Sequence, residues 1–421
     1  MTLFLYSIFL KLFSAGIKIA AFFNPKAQRW IKGRLNWWEQ LQTLDRDAEK
    51  PTIWMHCASL GEFEQGRPLL EAIRLKYPAT CILLTFFSPS GYEVRKNYAG
   101  ADLVMYLPID SKENAHQFIN YLKPSLVLWV KYEYWYYYLL ELKQQKVPVL
   151  LISGIFRNSQ PFFKAYGQLW KNMLGSFEQL FVQNLYSLTL LKSIGFNNKA
   201  TVTGDTRFDR VCSIAAEWES LPEPLSSFCN LHPVIVAGST WEEDEELLIH
   251  YSKTYPHIRF VIAPHEVSKE RIEDLQEEFP NGILYSNLLT IPTEEIGNRN
   301  VLIIDNIGML SRLYHYAHIA YVGGGFNDSG IHNILEAAVY SKPVIFGPEY
   351  DKFAEARDLV EAGAAFSIET ALELEALLNE LINNKILWKE SSQIAGDYVQ
   401  QHRGATEKIM QYIQEKRLLI N

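Results

Sequence analysis

Beyond residue 50 the chain alternates short apolar, β-branched runs with longer stretches of mixed polarity. In the first half the apolar runs predict strands over 52–57, 80–85, 103–107, 125–130, 147–152, 179–182 and 200–203. In the second half they predict strands over 233–237, 259–263, 301–304, 319–322 and 343–346. Apolar positions within each run are consecutive rather than alternate. Both faces must therefore be covered, as in parallel sheets flanked by helices. Strands alternating with helices give the doubly wound α/β class. One parallel sheet holding every run would be unusually wide. Two Rossmann-like domains facing each other across a cleft fit better, with the expected ligand site where the C-terminal ends of both sheets meet. The stretch 207–232, which contains Glu-Ser-Leu-Pro-Glu-Pro-Leu-Ser-Ser, reads as the connection. The expected domains are 35–210 and 211–394, followed by a charged helix over 395–421.

Residues 3–23 break this rhythm with an apolar run in which Ser7, Lys11, Ser14 and Lys18 recur at spacings of four, three and four. That spacing puts them on one polar stripe of a helix. A cleaved signal peptide would carry its charge ahead of the apolar run, whereas here charge lies within it and after it. A spanning helix is long enough, though two lysines would have to snorkel. An interfacial helix suits the stripe and the basic flank. The bland alternative is an amphipathic helix docked on the protein itself. We favour membrane association for the segment 1–34. The basic residues at 26–34 place the main body on the cytoplasmic side.

Composition narrows the classes. The 421 residues suffice for two domains, possibly three, with sizeable cores. Usage is ordinary for a globular chain, with 21% charged and 48% hydrophobic residues. The net charge is -8, and because residues 1–34 hold six cations and no acid, the remainder is about -14. Such a chain is a poor nucleic-acid binder, since phosphate contacts need clustered cations. Cys57, Cys81, Cys212 and Cys229 form no C-x-x-C and lack histidines at zinc spacing, so no structural metal is expected. Asp45-Arg46-Asp47 precedes the first strand and is weak as a metal site. Aromatic residues make up 13%, which suits packed cores or a surface that meets lipid or sugar.

Several segments after predicted strands carry chemistry. In Ala58-Ser59-Leu60-Gly61-Glu62, Glu62 sits at the start of a helix, where a carboxylate can act as general base toward a hydroxyl. The same Ser-x-x-Glu is also a capping box. Val322-Gly323-Gly324-Gly325-Phe326 runs through a short loop into His332-Asn333-Ile334-Leu335-Glu336. Glycine amides and a helix start favour phosphate, and Glu336 could reach ribose hydroxyls, against a plain Gly-rich turn with Asn333 as cap. The run is neither a Walker A loop nor G-x-G-x-x-G in the first βα unit, which disfavours ATPases and dinucleotide enzymes. Arg207, in Gly204-Asp205-Thr206-Arg207-Phe208-Asp209, could meet a phosphate or carboxylate, or pair with a nearby aspartate at the surface. Ser239 and Thr240, in Ala237-Gly238-Ser239-Thr240, are phosphate candidates or helix caps, as Gly324 and Gly325 are phosphate candidates or turn glycines. Pro264-His265 follows the next strand. Lys131 and Glu133, in the aromatic-rich stretch from Trp129 to Tyr138, follow another.

Taken in order, these segments resemble the bacterial 3-deoxy-D-manno-octulosonic acid (Kdo) transferases over nearly the whole chain. The resemblance rests on the apolar N-terminus, Lys32-Gly33-Arg34, the run from His56 to Glu62, Gly204 to Asp209, Ala237 to Thr240, Gly323 to Glu336, and Gly404-Ala405-Thr406. It implies the GT-B fold and an inverting, metal-independent transfer of Kdo from CMP-Kdo to the glucosamine disaccharide of a lipid A precursor at the inner membrane, with no cofactor. It implies Glu62 as general base, and Lys131 and Arg207 as transition-state stabilisers. It also implies Pro264, His265, Ile307, Gly308, Met309, Asn333, Ile334, Leu335 and Glu336 as CMP-binding. The chain departs from the family pattern at Lys131, where an acid is common and Glu133 becomes a rival. It departs again at His265 in place of Arg and at Met309 in place of Glu, while Arg207 replaces a common Lys with its charge kept. The alternatives are another GT-B enzyme using a UDP-sugar on a lipid or polysaccharide acceptor, a non-catalytic nucleotide-sugar-binding membrane protein, and a nucleotide-sugar epimerase.

Overall fold

A computed structural model of the chain describes residues 2–47, 49–230, 232–288, 290 and 296–419. They fall into two compact units. One joins the chain up to Arg210 with the chain from Arg403 onward, and the other is Val211–His402.

The first unit opens with helices α1 (Thr2–Ala20) and α2 (Pro25–Lys32). Helix α1 is docked along one face. The Tyr6 hydroxyl donates to Asp110 Oδ2 at 2.6 Å, the hydroxyls of Ser7 and Tyr137 lie 2.9 Å apart, and Phe13 meets Trp30 and Phe87. Its other face exposes Phe4, Leu5, Phe9, Leu12 and Ile19. Along the polar stripe, Ser7 and Ser14 are half-buried and Lys11 and Lys18 exposed. By length and composition alone, α1 could cross a membrane.

The sheet of this unit holds β1 (Thr52–Cys57), β2 (Cys81–Phe86), β3 (Leu103–Tyr106), β4 (Leu126–Val130), β5 (Val149–Gly154), β6 (Gln179–Val182) and β7 (Ala200–Val202). All pairings are parallel, in the order β3-β2-β1-β4-β5-β6-β7. Strand order reverses between β1 and β4, which are neighbours with Met55 opposite Leu128. Trp54, Leu83, Val127 and Trp129 pack on one face. Met55, Leu84, Leu128 and Ile152 pack on the other, against Phe63 and Leu70 of α3 (Leu60–Lys76). Helix α4 (Tyr136–Gln144) follows β4, and Asp110 receives the N–H groups of Tyr137 and Tyr138 at its start.

The second unit holds β8 (Val234–Thr240), β9 (Arg259–Pro264), β10 (Gly282–Leu284), β11 (Val301–Ile303), β12 (Ile319–Val322), β13 (Val344–Phe346) and β14 (Ala365–Ser367). They are parallel, in the order β10-β11-β9-β8-β12-β13-β14, with the reversal between β8 and β12. Helix α5 (Glu242–Thr254) leaves β8. Every run read as a strand forms one. The two strands without such a reading, β10 and β14, are three residues long and lie at the sheet edges, where the buried run is too short to stand out.

The single terminal helix expected over 395–421 is instead two, α6 (Lys385–His402) and α7 (Ala405–Glu415). Gly404 breaks them with φ 104°, in the left-handed region open to glycine. Helix α7 belongs to the first unit, where Ile409 and Ile413 enter the core beside α3. The Asp209 carboxylate accepts the N–H groups of Gly404 and Thr406, covering the start of α7.

Candidate functional site

In a doubly wound sheet the reversal of strand order leaves a crevice beyond the carboxyl ends of the two flanking strands. In the first unit those strands are β1 and β4. Glu62 lies just beyond β1 and Lys131 is the first residue after β4. Ser59 stands before α3 in extended geometry, but its side chain makes no capping bond, so the reciprocal capping box does not form. Instead the Glu62 carboxylate folds back. Oε2 accepts the N–H of Ala58, and Oε1 accepts that of Tyr132 at 3.5 Å. Glu62 is 6% exposed. Burial pushes its carboxyl up to about 7. The Ala58 and Tyr132 donors and the Lys131 charge pull the other way, and the Glu133 charge adds to the rise. A carboxyl in that range can take a proton from a hydroxyl and release it again near neutral pH.

Lys131 has φ 51°, in the left-handed region unusual for a residue with a side chain. Its charge acts on Glu62 and on Asp205. Glu133 Oε2 accepts the Trp135 indole N–H at 3.1 Å and faces His56 Nε2 at 3.2 Å, so it is a held carboxylate. Arg207 is the second residue of the helix Thr206–Ala216 after β7. Its Nε donates to Asp205 Oδ2 at 2.9 Å, and its backbone N–H to Oδ1 at 2.9 Å. The partner is buried, so this is no surface ion pair. Burial alone would raise the Asp205 carboxyl, but Arg207 and Lys131 overcome it and hold the group below the usual range. Arg157, exposed beyond β5, acts with Arg207 on the Tyr132 phenol. Cations thus gather at the carboxyl ends of β4, β5 and β7. Sequence reasoning missed Arg157, which sits in a loop without a motif, and it missed the role of His56, whose only signal is a polar residue inside an apolar strand.

Beside this site an apolar groove of about 250 Å3 is lined by Phe13, Ile17, Ala27, Trp30, Phe87 and Pro89, with Lys26 at its edge. Its wall is tied to the Glu62 segment. The Ser88 N–H donates to the Ala58 carbonyl at 2.7 Å, and Ala58 gives its own N–H to Glu62. Arg34 anchors the same wall from within, donating to the carbonyls of Trp30, Phe87 and Leu107.

In the second unit the reversal lies between β8 and β12, which carry Ser239-Thr240 and Gly323–Gly325. Ser239 has φ 55°. The Thr240 hydroxyl donates to Glu245 Oε1 at 2.6 Å, so its proton is spent inside the protein. The Gly323 N–H donates to the Gly238 carbonyl and the Gly324 N–H to Asp244 Oδ2, each at 2.9 Å. Two of the four phosphate candidates, Thr240 and Gly324, are therefore engaged in this conformation. Gly325 abuts the backbone of Gly347, where a Cβ would come within 2.6 Å. Close packing accounts for these glycines without a ligand.

Pro264 is buried at the end of β9, and His265 stacks between Trp241 and His332, with centroids 4.6 and 4.5 Å away. Burial, and then the neighbouring His265, pull His332 down to about 4. Trp241 also lines a pocket of about 220 Å3 with Thr240, Pro264, Arg271, Glu242, Glu243 and Glu266. Its charged residues are three glutamates and one arginine, a balance that suits hydroxyl and amino donors better than phosphate. Ile307 is exposed, Gly308 has φ 101°, and Met309 precedes the short helix Leu310–Leu313. Asn333 Nδ2 donates to Glu336 Oε1 at 3.1 Å. Ile334 and Leu335 are core residues, so a ligand could meet them only through backbone. Among the described residues no group of three or more His, Cys, Asp or Glu is placed to hold a metal. Asp47 is occupied by the Glu49 N–H and by Lys50 in a surface turn.

Residues 34–210 match the family described as 3-Deoxy-D-manno-octulosonic-acid transferase (kdotransferase). A 3-deoxy-D-manno-octulosonic acid transferase of Aquifex aeolicus is 27% identical over 366 residues, covering 84% of this chain and 93% of its own length. A bifunctional glycosyltransferase/methyltransferase of Fusobacterium nucleatum is 27% identical over 376 residues, or 86% of this chain. The match spans only 57% of that longer protein. Among solved structures, a UDP-GlcNAc 2-epimerase from Neisseria meningitidis superposes with TM-score 0.61 at 16% identity, covering 86% of this chain and 100% of its own. At that identity the likeness is one of fold, two Rossmann-like units in one chain as in the GT-B class.

Proposed function

We propose that this chain, which belongs to the 3-deoxy-D-manno-octulosonic acid transferase family, moves Kdo from CMP-Kdo to the glucosamine disaccharide of a lipid A precursor in lipopolysaccharide biosynthesis. The observation that carries the reading is Glu62, a buried carboxylate poised near neutrality at the strand-order reversal of the first unit.

In the proposed step an acceptor hydroxyl attacks the anomeric carbon of Kdo from the face opposite the phosphate, so configuration inverts. Glu62 takes the hydroxyl proton. The anomeric C–O bond breaks, its electron pair passes to the phosphate oxygen, and CMP leaves. Lys131 and Arg207, with Arg157 nearby, supply positive charge for the donor carboxylate and the growing phosphate charge. Pro264, His265, the 307–309 loop and Asn333 to Glu336 are proposed to hold the CMP.

Two features support a lipid acceptor at the cytoplasmic face of the inner membrane. One is the exposed apolar face of α1 with its basic flank. The other is the apolar groove, which can take an acyl chain while its wall adjoins the Glu62 segment. The test incubates the full chain with CMP-Kdo and a tetraacylated precursor in the presence of EDTA, reading product mass. The expected result is a gain of one or more Kdo residues, lost in Glu62→Gln. No gain from folded protein would reject the reading.

A further inference from the structure

We infer that His56 and Glu133 are positioning residues for Glu62: the half-buried His56–Glu133 contact clamps the turn after β4 and fixes a second carboxylate beside the proposed base. The inference deepens the reading above and rests on it only for what Glu62 does.

His56 is fully buried on β1. Its Nδ1 lies 2.9 Å from Thr85 Oγ1 on the neighbouring strand, and its Nε2 lies 3.2 Å from Glu133 Oε2. Thr85 Oγ1 already accepts the Trp54 indole N–H at 2.8 Å. Its own proton can go to His56 Nδ1 at 2.9 Å or to the Met55 carbonyl at 3.4 Å, and the shorter contact is preferred. That assignment leaves His56 Nε2–H aimed at Glu133. With the Trp135 indole as second donor, the Glu133 carboxylate has two N–H partners. The Glu133 carbonyl accepts the Trp129 indole N–H, so backbone and side chain of the same residue are both held.

The clamped turn serves Glu62 in two ways. It presents the Tyr132 N–H to Oε1, and it sets a negative charge at a fixed place. The ionisable groups facing Glu62 are Cys57 of β1 and Lys131, Tyr132, Glu133 and Tyr134 of the turn. Arg157, Asp205 and Arg207 act on Tyr132. Glu133 and Lys131 are the charged pair with opposed effects on Glu62, and Glu133 is locked to the core through His56.

The test is a carboxyl titration by NMR on the ligand-free full chain, with 13C at glutamate side-chain carboxyls and the Glu62 signal assigned by its loss in E62Q. Glu133→Gln removes the charge without changing shape, and the Glu62 midpoint should fall by about 0.5 pH or more. His56→Leu removes the donor that fixes the Glu133 carboxylate and should move the Glu62 midpoint the same way. His56→Gln offers an amide N–H at similar reach and should restore it. An unmoved midpoint in folded E133Q overturns the inference, as do H56L and H56Q behaving alike. Should H56L fail to fold, E133Q and H56Q decide alone. No substrate is involved, so the predicted shifts in a chain that transfers nothing would reject the proposed function and leave this inference standing.

Discussion

The Glu62 carboxylate accepts the backbone N–H of Tyr132, joining the loop after β1 to the turn after β4 across the reversal in strand order. Neither residue could make this contact if β1 and β4 were not neighbours. A parallel sheet places their carboxyl ends side by side, and the first turn of α3 brings Glu62 over the gap. Two N–H donors then hold a carboxylate that burial would otherwise neutralise. The balance leaves Glu62 near 7, where a small change in nearby charge alters its ionised fraction most.

Replacing Glu62 by Gln separates chemistry from stability. Transfer should fall by about 10²–10⁴-fold, the usual worth of a general base. Stability should move the other way. The folded value near 7 lies above the ordinary glutamate value of 4.5, so the folded chain binds the proton more tightly. The stabilisation from this group is full below about 4.5 and is lost as pH rises through 7. Glu62→Gln should therefore melt like the native chain at pH 4.5 and be more stable by about 1–3 kcal/mol at pH 8. Thermal melting at the two values decides it. A variant less stable at pH 8 would contradict the assignment.

Lys131 offers a test with the opposite sign to that at Glu133. Its charge lowers Glu62, so Lys131→Gln should move the acid limb of the pH–rate profile to higher pH. If tuning is its whole role, the lost rate returns above pH 8. A rate deficit that persists on the alkaline side would mean that Lys131 also touches the departing phosphate or the donor carboxylate.

The sheets were legible because consecutive apolar residues such as Leu126 to Val130 have no other simple reading, whereas Gly282–Leu284 and Ala365–Ser367 are too short to announce themselves. Strand order was not legible, since nothing in a strand's own residues names its neighbour. The candidate site was visible as segments after strands, but spacing could not say how polar groups are spent. Ser59 and Glu62 have capping-box spacing, yet Glu62 bonds Ala58 and Tyr132 instead. The glycines 323–325 look like a phosphate loop, yet two of their N–H groups are taken by Gly238 and Asp244. His56 and Thr85 carry no local motif because their partners are 77 and 29 residues away in the chain.

The docking of α1 depends on a half-buried hydrogen bond from Tyr6 to Asp110. Burial pushes Asp110 up to about 6, against the Tyr6 hydroxyl and the N–H groups of Tyr136, Tyr137 and Tyr138, which favour its ionised form. Tyr6→Phe should loosen α1 by about 1–2 kcal/mol. The penalty should be larger at pH 8 than at pH 5, because the lost donor served the carboxylate. Hydrogen exchange along Thr2–Ala20 reads it directly. Exchange unchanged by the substitution at both values would show that Phe13, Leu10 and the Ser7–Tyr137 contact hold the helix without the Tyr6 hydroxyl.

Glycine substitutions separate packing from phosphate binding in the second unit. At Gly325 a Cβ would stand 2.6 Å from Gly347 Cα and N, and at Gly323 it would stand 2.4 Å from the Ser239 carbonyl. Backbone cannot yield as a side chain can, so Gly325→Ala should destabilise the second unit by about 3 kcal/mol. Gly308 is the control. Nothing lies within 4 Å of a Cβ there, but its φ of 101° strains any other residue, for a cost of about 1–2 kcal/mol. The two variants should thus differ in stability before any ligand is added, with hydrogen exchange in β12 and β13 faster in Gly325→Ala. If Gly325 existed only to leave an amide open to phosphate, Gly325→Ala would melt like the native chain and lose only its affinity for CMP. Melting temperature and CMP titration on the same samples distinguish the two roles.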